Sequence, residues 1–375
     1  MNILAISSDK KILQEESSVF SRMLKYSELV NNFFIFVFVN KQEDFTYKKI
    51  NNLHICPVNY SSKLFSFFSL YSIFKKIIKE NDLSNKNSFI TAQDPFEIGL
   101  FSWVLSKLFN LKLEIQIHTD FLNKYYRKQS WRAVFQIFLA KIILKRSDQI
   151  RVVSLKIKDN IINILKIAEH KVVNLPILFV SQKEQENLSK NYLKEKYPQF
   201  NFIILMASRL VKEKNINLAI NVFNELNKEF DSLGLVIVGS GQEGMMLKEL
   251  AKNNKNIIFE PWANNLSDYY ISSDIFLLTS NYEGWGMTVV EANSYGLPVV
   301  MTDVGCAGEF IKNNYNGLIC PVGDNQKILE SLKFLINNKE EKEKMNSNAR
   351  QAYQNLLRIN YLEELKNIWN NFLNK

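Results

Sequence analysis

Two carboxylates, Glu283 and Glu291, bracket the stretch Glu283-Gly-Trp-Gly-Met-Thr-Val-Val-Glu291, in which two glycines interrupt the start of a helical pattern. The apolar run Ile275–Leu278 just upstream reads as a strand, and helix is expected from about Met287. Gly284 and Gly286, flanking Trp285, let the backbone approach a ligand closely, and the free amides of the helix start, running to Thr288, favour negative charge. Glu291, about one turn in, is held rigidly nearby. An ionised carboxylate only accepts hydrogen bonds, which suits it to sugar and ribose hydroxyls rather than to phosphate. The chemistry such a stretch could support is the holding of a sugar nucleotide.

Cations for a diphosphate are sought next. Arg209 and Lys214, in Ala207-Ser-Arg-Leu-Val-Lys-Glu-Lys214, follow an apolar run at 202–206. Ligands of doubly wound folds collect at such strand ends. Arginine offers a planar fork and lysine a mobile point charge, although two basic loop residues are equally well explained as solvated. Val238-Gly-Ser-Gly241 adds Gly239 and Gly241 after another strand, where a simple tight turn accounts for them as well. A third small-residue loop is Asp303-Val-Gly-Cys-Ala-Gly-Glu309. Among the histidines, His54 and His170 lie in contexts that read as structural or exposed. His118 closes the strand pattern at 112–118 and precedes Thr119-Asp120, so it stands at a ligand-facing sheet end as a functional group or as a satisfied structural histidine. No two aspartates are separated by one residue, so the usual device for a divalent cation under a sugar diphosphate is missing and no metal is expected.

The elements that must position these groups fit a chain of 375 residues, enough for two domains with separate cores. Short apolar runs alternate with helical segments, the pattern of parallel sheets with crossover helices and hence of the α/β class. Strands are expected at 2–6, 33–39, 53–56, 88–91, 112–118, 149–153 and 171–174, with helices at 14–30, 66–80, 95–109, 130–147 and 154–166. Residues 181–199, dense in Lys, Glu and Asn apart from a short patterned segment at 188–197, mark the domain boundary. The alternation restarts with strands at 202–206, 234–238, 256–259, 274–278, 298–301 and 317–319 and helices at 215–228 and 242–253. The tail from about 324 reads as helices, the last with Tyr361, Leu362, Leu365, Ile368, Trp369 and Phe372 on one face.

Charge is uneven. Residues 1–185 carry 27 Lys/Arg against 16 Asp/Glu, a net +11, whereas residues 186–375 carry 20 against 22, a net −2. The excess peaks at 121–147, where Lys124, Arg127, Lys128, Arg132, Lys141, Lys145 and Arg146 are interleaved with Tyr125, Tyr126, Trp131 and Phe135. This segment is either a surface for anionic lipid headgroups or a phosphate-bearing substrate, or a core helix with solvated basic ends. No nucleic-acid module accompanies the basic residues. Cys56, Cys306 and Cys320 lack metal-like spacing and form an odd set, which points to a reducing cytoplasm. The chain enters its first strand without a basic leader, and its richest apolar candidate, 134–144, is too short to span a bilayer.

Taken together and in order, Ser208-Arg-Leu…Lys214, Val238-Gly-Ser-Gly-Gln-Glu243, Glu283…Glu291, Ala292…Gly296-Leu-Pro-Val-Val300 and Asn316-Gly-Leu…Gly323-Asp324 resemble family-4 retaining glycosyltransferases of the GT-B fold, over about 202–325. The resemblance implies two Rossmann-like parallel-sheet domains facing each other across a cleft. These would be an acceptor-binding domain at 1–185, a nucleotide-sugar domain at 186–355, and a closing helix at 356–375 that crosses back to the first domain. It implies that Arg209 and Lys214 bind the donor diphosphate, that Glu291 takes the ribose hydroxyls, and that Glu283 and the amides from Gly284 through Trp285, Gly286 and Met287 to Thr288 hold the transferred sugar and distal phosphate. His118 matches the family histidine that contacts the donor sugar. Anomeric configuration would be retained by front-face attack, without a covalent carboxylate intermediate and without the acid/base pair of a hydrolase.

One departure lies after the first strand. Relatives carry a glycine-rich loop there, and this chain has Ser7-Ser-Asp-Lys-Lys-Ile-Leu-Gln-Glu-Glu-Ser17. Asp94, in Thr91-Ala-Gln-Asp-Pro-Phe96, reads either as an acceptor-side residue, with Asp120 as its companion, or as a helix cap. The expected function is transfer of a sugar from a nucleotide-sugar co-substrate, with no further cofactor, to a glycan or lipid-linked acceptor of a bacterial surface polysaccharide, in the cytoplasm or on the inner membrane face. The competing readings are a catalytically silent sugar-nucleotide-binding subunit and a phosphorylase or epimerase on the same fold.

Overall fold

The computed structural model describes residues 1–40, 43, 45–60, 66–178, 189 and 191–375. The chain divides into two compact units. The first is Met1–Val153, Ile157–Leu175 and Asn360–Lys375, and the second is Ser154–Lys156 and Pro176–Ile359. The boundary expected at 185/186 falls outside the described residues.

The first unit is built on eight strands, β1 (Asn2–Ser7), β2 (Asn32–Asn40), β3 (Lys48–Ile50), β4 (Leu53–Tyr60), β5 (Ser88–Ala92), β6 (Lys112–Ile117), β7 (Gln149–Val152) and β8 (Val172–Asn174). They form one sheet in the order β3-β4-β2-β1-β5-β6-β7-β8. The strands nearest the centre are almost wholly buried, as a parallel sheet covered on both faces requires. Only β3 breaks the parallel rule by pairing antiparallel with β4, and this short edge strand with two exposed lysines escapes the hydrophobic pattern.

Helices Ser66–Glu80, Glu97–Leu108, Trp131–Arg146 and Leu155–Leu165 lie where the periodicity puts them. The helix expected over 14–30 is shorter, Ser18–Ser27, because the Ser17 side chain accepts from Phe20 N and starts the helix there. Upstream, the glycine-free loop after β1 becomes the 3-10 turn Lys10–Leu13, capped by Asp9 through Lys11 N at 3.0 Å.

The closing helix Tyr361–Asn374 belongs to this first unit. Its Leu365, Trp369 and Phe372 are buried in the same core as Ile3, Phe33, Ile35 and Phe89. Crossing back is thus driven by apolar burial, of about 1.5–3 kcal/mol for each large side chain removed from water.

The second unit carries β9 (Phe202–Ala207), β10 (Leu233–Val238), β11 (Ile257–Glu260), β12 (Ile275–Leu278), β13 (Val299–Thr302) and β14 (Gly317–Cys320) in a parallel sheet ordered β11-β10-β9-β12-β13-β14. Helices Ile216–Leu226, Gly244–Ala251 and Asn325–Asn337 cover it, and their apolar faces share one core with the strands. Two short helices, Tyr192–Lys196 and Ser267–Ile271, add to the expected elements. The strand order reverses between β9 and β12, so the loops leaving their carboxyl ends diverge and open a crevice there.

Candidate active site

The crevice of the second unit is where the sequence candidates gather. The loop after β9 ends in the 3-10 turn Lys212–Lys214, and Asn215 follows in the left-handed region at φ 50°. From this turn Lys214 Nζ lies 2.5 Å from Glu283 Oε1, on the loop after β12. Both side chains are largely buried, and Ser280 Oγ donates to the same carboxylate oxygen at 2.7 Å. The two loops are stitched together beneath the pair: Thr279 Oγ1 donates to the carbonyls of Lys214 and Asn215 at 3.1 and 3.0 Å, and Asn281 N donates to Glu213 O at 2.7 Å. Arg209 is different. Its side chain is 65% exposed and its guanidinium makes a 3.2 Å contact with Glu213, which places it at the rim. The expectation of two cooperating cations thus resolves into one buried lysine already paired with Glu283 and one exposed arginine.

The glycines serve a further purpose. At Gly239, with φ +149°, a Cβ would lie 1.9 Å from Ser208 O, and at Gly241 a Cβ would lie 2.3 Å from Leu210 O. Ser208 N donates to Val238 O at 3.1 Å and Leu210 N to Ser240 O at 2.9 Å. Gly239 and Gly241 therefore allow the loop carrying Arg209 to lie against the loop after β10. Gly305, at φ +55°, does the same on the other side, where a Cβ would meet Trp285 O at 2.5 Å, and Cys306 N donates to that carbonyl at 2.8 Å.

Gly286, in the left-handed region, opens the helix Met287–Ser294. Gly284, Met287 and Thr288 are half-buried around that start, while Trp285 is buried and its indole N–H has no partner among the described residues. Glu291 is also half-buried, on the second turn. Tyr270 OH donates to its Oε2 at 3.0 Å, and Tyr270 stacks on Tyr295 with ring centroids 5.6 Å apart. Burial raises the Glu291 pKa, and the Tyr270 hydrogen bond partly opposes that rise.

In the first unit, His118 follows β6, and its Nε2 lies 3.1 Å from Gln116 Oε1. Burial first, and then the Arg151 and Arg22 cations, push its pKa down. Asp94 accepts from Phe96 N at 2.7 Å just ahead of helix Glu97–Leu108, whose N-cap position is Phe96. Burial drives its pKa up to about 6 against those backbone donors. Asp120 is buried and held by Asn160 Nδ2 at 3.1 and 3.2 Å. His54 is buried between Tyr47 and Asn32, whereas His170 is exposed. All three cysteines are buried thiols.

Residues 185–352 match the family model described as glycosyl transferases group 1. The chain is similar to the capsular polysaccharide biosynthesis glycosyltransferase CapM of Staphylococcus aureus, 25% identical over 330 residues that make up 85% of each protein. It is also similar to an Escherichia coli UDP-Gal:alpha-D-GlcNAc-diphosphoundecaprenol alpha-1,3-galactosyltransferase, 25% identical over 71% of this chain and 69% of that one. Among solved structures, Anabaena HepE in complex with UDP and glucose superposes with a TM-score of 0.74 at 14% identity, covering 99% of both chains. That likeness shows the fold, two Rossmann-like domains of the GT-B class.

Within the second unit, two partners carry no sequence signal strong enough to single them out. Ser280 is one serine among many, and Tyr270 lies on a five-residue helix that the apolar periodicity does not show. Asn316 was visible only as part of a motif. It is fully buried, donating to Asn293 Oδ1 at 2.7 Å and Phe310 O at 3.1 Å, so it braces the helix that carries Glu291. In the first unit, Glu114 and Gln116 show in the sequence only as polar residues alternating with apolar ones through 113–118, and nothing there ties them to Thr91.

Proposed function

We propose that this protein is a retaining, metal-independent glycosyltransferase that moves a sugar from a nucleotide-sugar donor to a glycan or lipid-linked acceptor in bacterial surface polysaccharide synthesis. The observation that carries the reading is the Lys214–Glu283 pair at the topological switch point of the second sheet, with Glu291 on the adjoining helix. Lys214, with Arg209 folding in from the rim, would neutralise the departing diphosphate, and the amides at the start of helix Met287–Ser294 would add to that field. Glu291 would accept from the ribose hydroxyls and Glu283 from the sugar. Neither carboxylate is arranged as a hydrolytic acid or base, since Glu283 accepts from Lys214 and Ser280 and Glu291 accepts from Tyr270.

In the proposed step the bond from the anomeric carbon to the diphosphate oxygen breaks while the acceptor oxygen bonds on the same face, and the acceptor proton passes to the leaving phosphate. His118 would contact a hydroxyl of the sugar. The names of CapM and the undecaprenol-dependent relative support the polysaccharide and lipid-linked parts of the reading.

Association with an anionic membrane surface, on the cytoplasmic side, is part of the proposal. Helix Trp131–Arg146 buries Ala133, Ala140, Ile143 and Leu144 but leaves Trp131 84%, Phe135 58% and Phe138 61% exposed, beside exposed Arg127, Lys128, Lys141 and Lys145. A core helix with solvated ends does not account for three exposed aromatic rings in two turns. No helix among the described residues is long and apolar enough to cross a membrane.

The test of transfer is incubation with nucleotide sugars and a lipid-diphosphate acceptor, with the product's anomeric configuration read by NMR. Retention of the donor's configuration is expected, and Arg209→Ala or Glu291→Gln should abolish most turnover. Nucleotide release without acceptor, or unchanged turnover in both variants, would contradict the assignment. Binding of phosphatidylglycerol vesicles at low salt, lost in Trp131→Ala/Phe135→Ala, tests the membrane part, and a protein that ignores such vesicles would refute it.

A further inference from the structure

Strand β6 places Glu114, Gln116 and His118 on one face, because side chains two apart in a strand point the same way. Register then brings Thr91 of β5 and Gln149 of β7 opposite Glu114, and Arg151 opposite Gln116. The result is a directed chain of hydrogen bonds beneath His118. Glu114, fully buried, accepts from Thr91 Oγ1 at 2.8 Å and from Gln149 Nε2 at 2.9 Å, with Arg151 Nε 3.6 Å from Oε1. The single proton of the Thr91 hydroxyl is committed to Glu114, so towards Gln116 that hydroxyl can only accept, and Gln116 Nε2 donates to it at 2.8 Å. The amide orientation of Gln116 follows. Its NH2 points inward and its carbonyl outward, 3.1 Å from His118 Nε2. A carbonyl oxygen only accepts, so that ring nitrogen must carry the proton. The opposite amide orientation would set the Gln116 carbonyl against an oxygen that has no proton to give it.

We propose that Gln116 and Thr91, anchored by the buried carboxylate of Glu114, are positioning residues that fix the tautomer of His118, with the proton on Nε2 and the Nδ1 lone pair presented to a hydroxyl of the bound sugar. The last clause rests on the proposed contact between His118 and sugar, whereas the tautomer stands on the hydrogen-bond chain alone. An imidazole held this way accepts from a hydroxyl without competing for its own proton.

The protein has three histidines, so its ring nitrogens can be followed individually by 15N NMR on histidine-labelled protein at pH 8, with His118→Gln supplying the assignment. Wild type should give one pyrrole-like shift at Nε2 and one pyridine-like shift at Nδ1, and Gln116→Leu should lose that separation as the ring averages between tautomers. Thr91→Val, nearly the same shape as threonine, should weaken the separation without touching the imidazole's direct partner. A proton on Nδ1 in wild type, or a signature unchanged in both variants, would overturn the proposal. If the signature behaves as stated while His118→Gln transfers sugar at the wild-type rate, the tautomer assignment stands and the sugar contact fails.

Discussion

Lys214 and Glu283 come from loops 69 residues apart in sequence and meet at 2.5 Å where the strand order of the second sheet reverses. The two opposite charges neutralise each other. A bound diphosphate would offer Lys214 a second anion and release Glu283 towards sugar hydroxyls. Lys214→Ala removes the cation and leaves Glu283 with Ser280 alone, so transfer should fall about 100-fold, the loss typical of one preorganised electrostatic group. Steady-state kinetics checks this, and a fall of less than about threefold would remove Lys214 from the reaction.

Glu291 gives a pH-dependent prediction. Its pKa is raised by burial, so the carboxylate that would accept ribose hydroxyls keeps its proton to a higher pH than a free glutamate does. Affinity for a nucleotide sugar should be full well above that raised pKa and decline as pH falls through it. Glu291→Gln should bind about 10- to 100-fold more weakly at pH 8, since hydrogen bonds to a charged group are worth about 1.5–3 kcal/mol. The same variant should lose the acidic decline, as calorimetric titration from pH 5 to 8 would show.

Gly239 meets a conformational requirement. A methyl group there would overlap the Ser208 carbonyl at a backbone angle that side chains rarely adopt. Gly239→Ala should destabilise the protein by more than about 2 kcal/mol, combining positive-φ strain with the displaced loop. Urea denaturation measures this cost, and nucleotide affinity should fall with it as Arg209 moves away.

Trp369 tests the closing helix. Its ring is 1% exposed and packs near Tyr26, Phe33 and Phe89, while its indole N–H has no partner among the described residues. Trp369→Ala should cost about 3–5 kcal/mol, and Trp369→Phe much less, because no hydrogen bond is lost with the indole. Equal costs in thermal denaturation would contradict this packing account.

Much of this organisation is legible in the sequence because it is carried by local periodicity. The helix Ser66–Glu80 appears where the apolar spacing puts it, and the buried strands announce themselves as short apolar runs. Lys214, Glu283 and Glu291 were selected by residue type and by position after strands. Their partners were less accessible. Which carboxylate Lys214 meets depends on β9 and β12 lying side by side, and Thr91 meets Glu114 only through the register of β5 with β6. The edge strand β3 escaped because three residues, two of them exposed lysines, carry no hydrophobic signal.

We propose that the second unit holds a nucleotide sugar between Lys214, Glu283 and Glu291. Thermal denaturation of the purified protein against a panel of uridine, guanosine, adenosine and thymidine diphosphate sugars tests it most directly, since a ligand of the native state raises the melting temperature by mass action. One donor class should stabilise wild type at millimolar concentration and stabilise neither Lys214→Ala nor Glu291→Gln. Stabilisation by no nucleotide sugar, or equal stabilisation of wild type and both variants, would contradict the account.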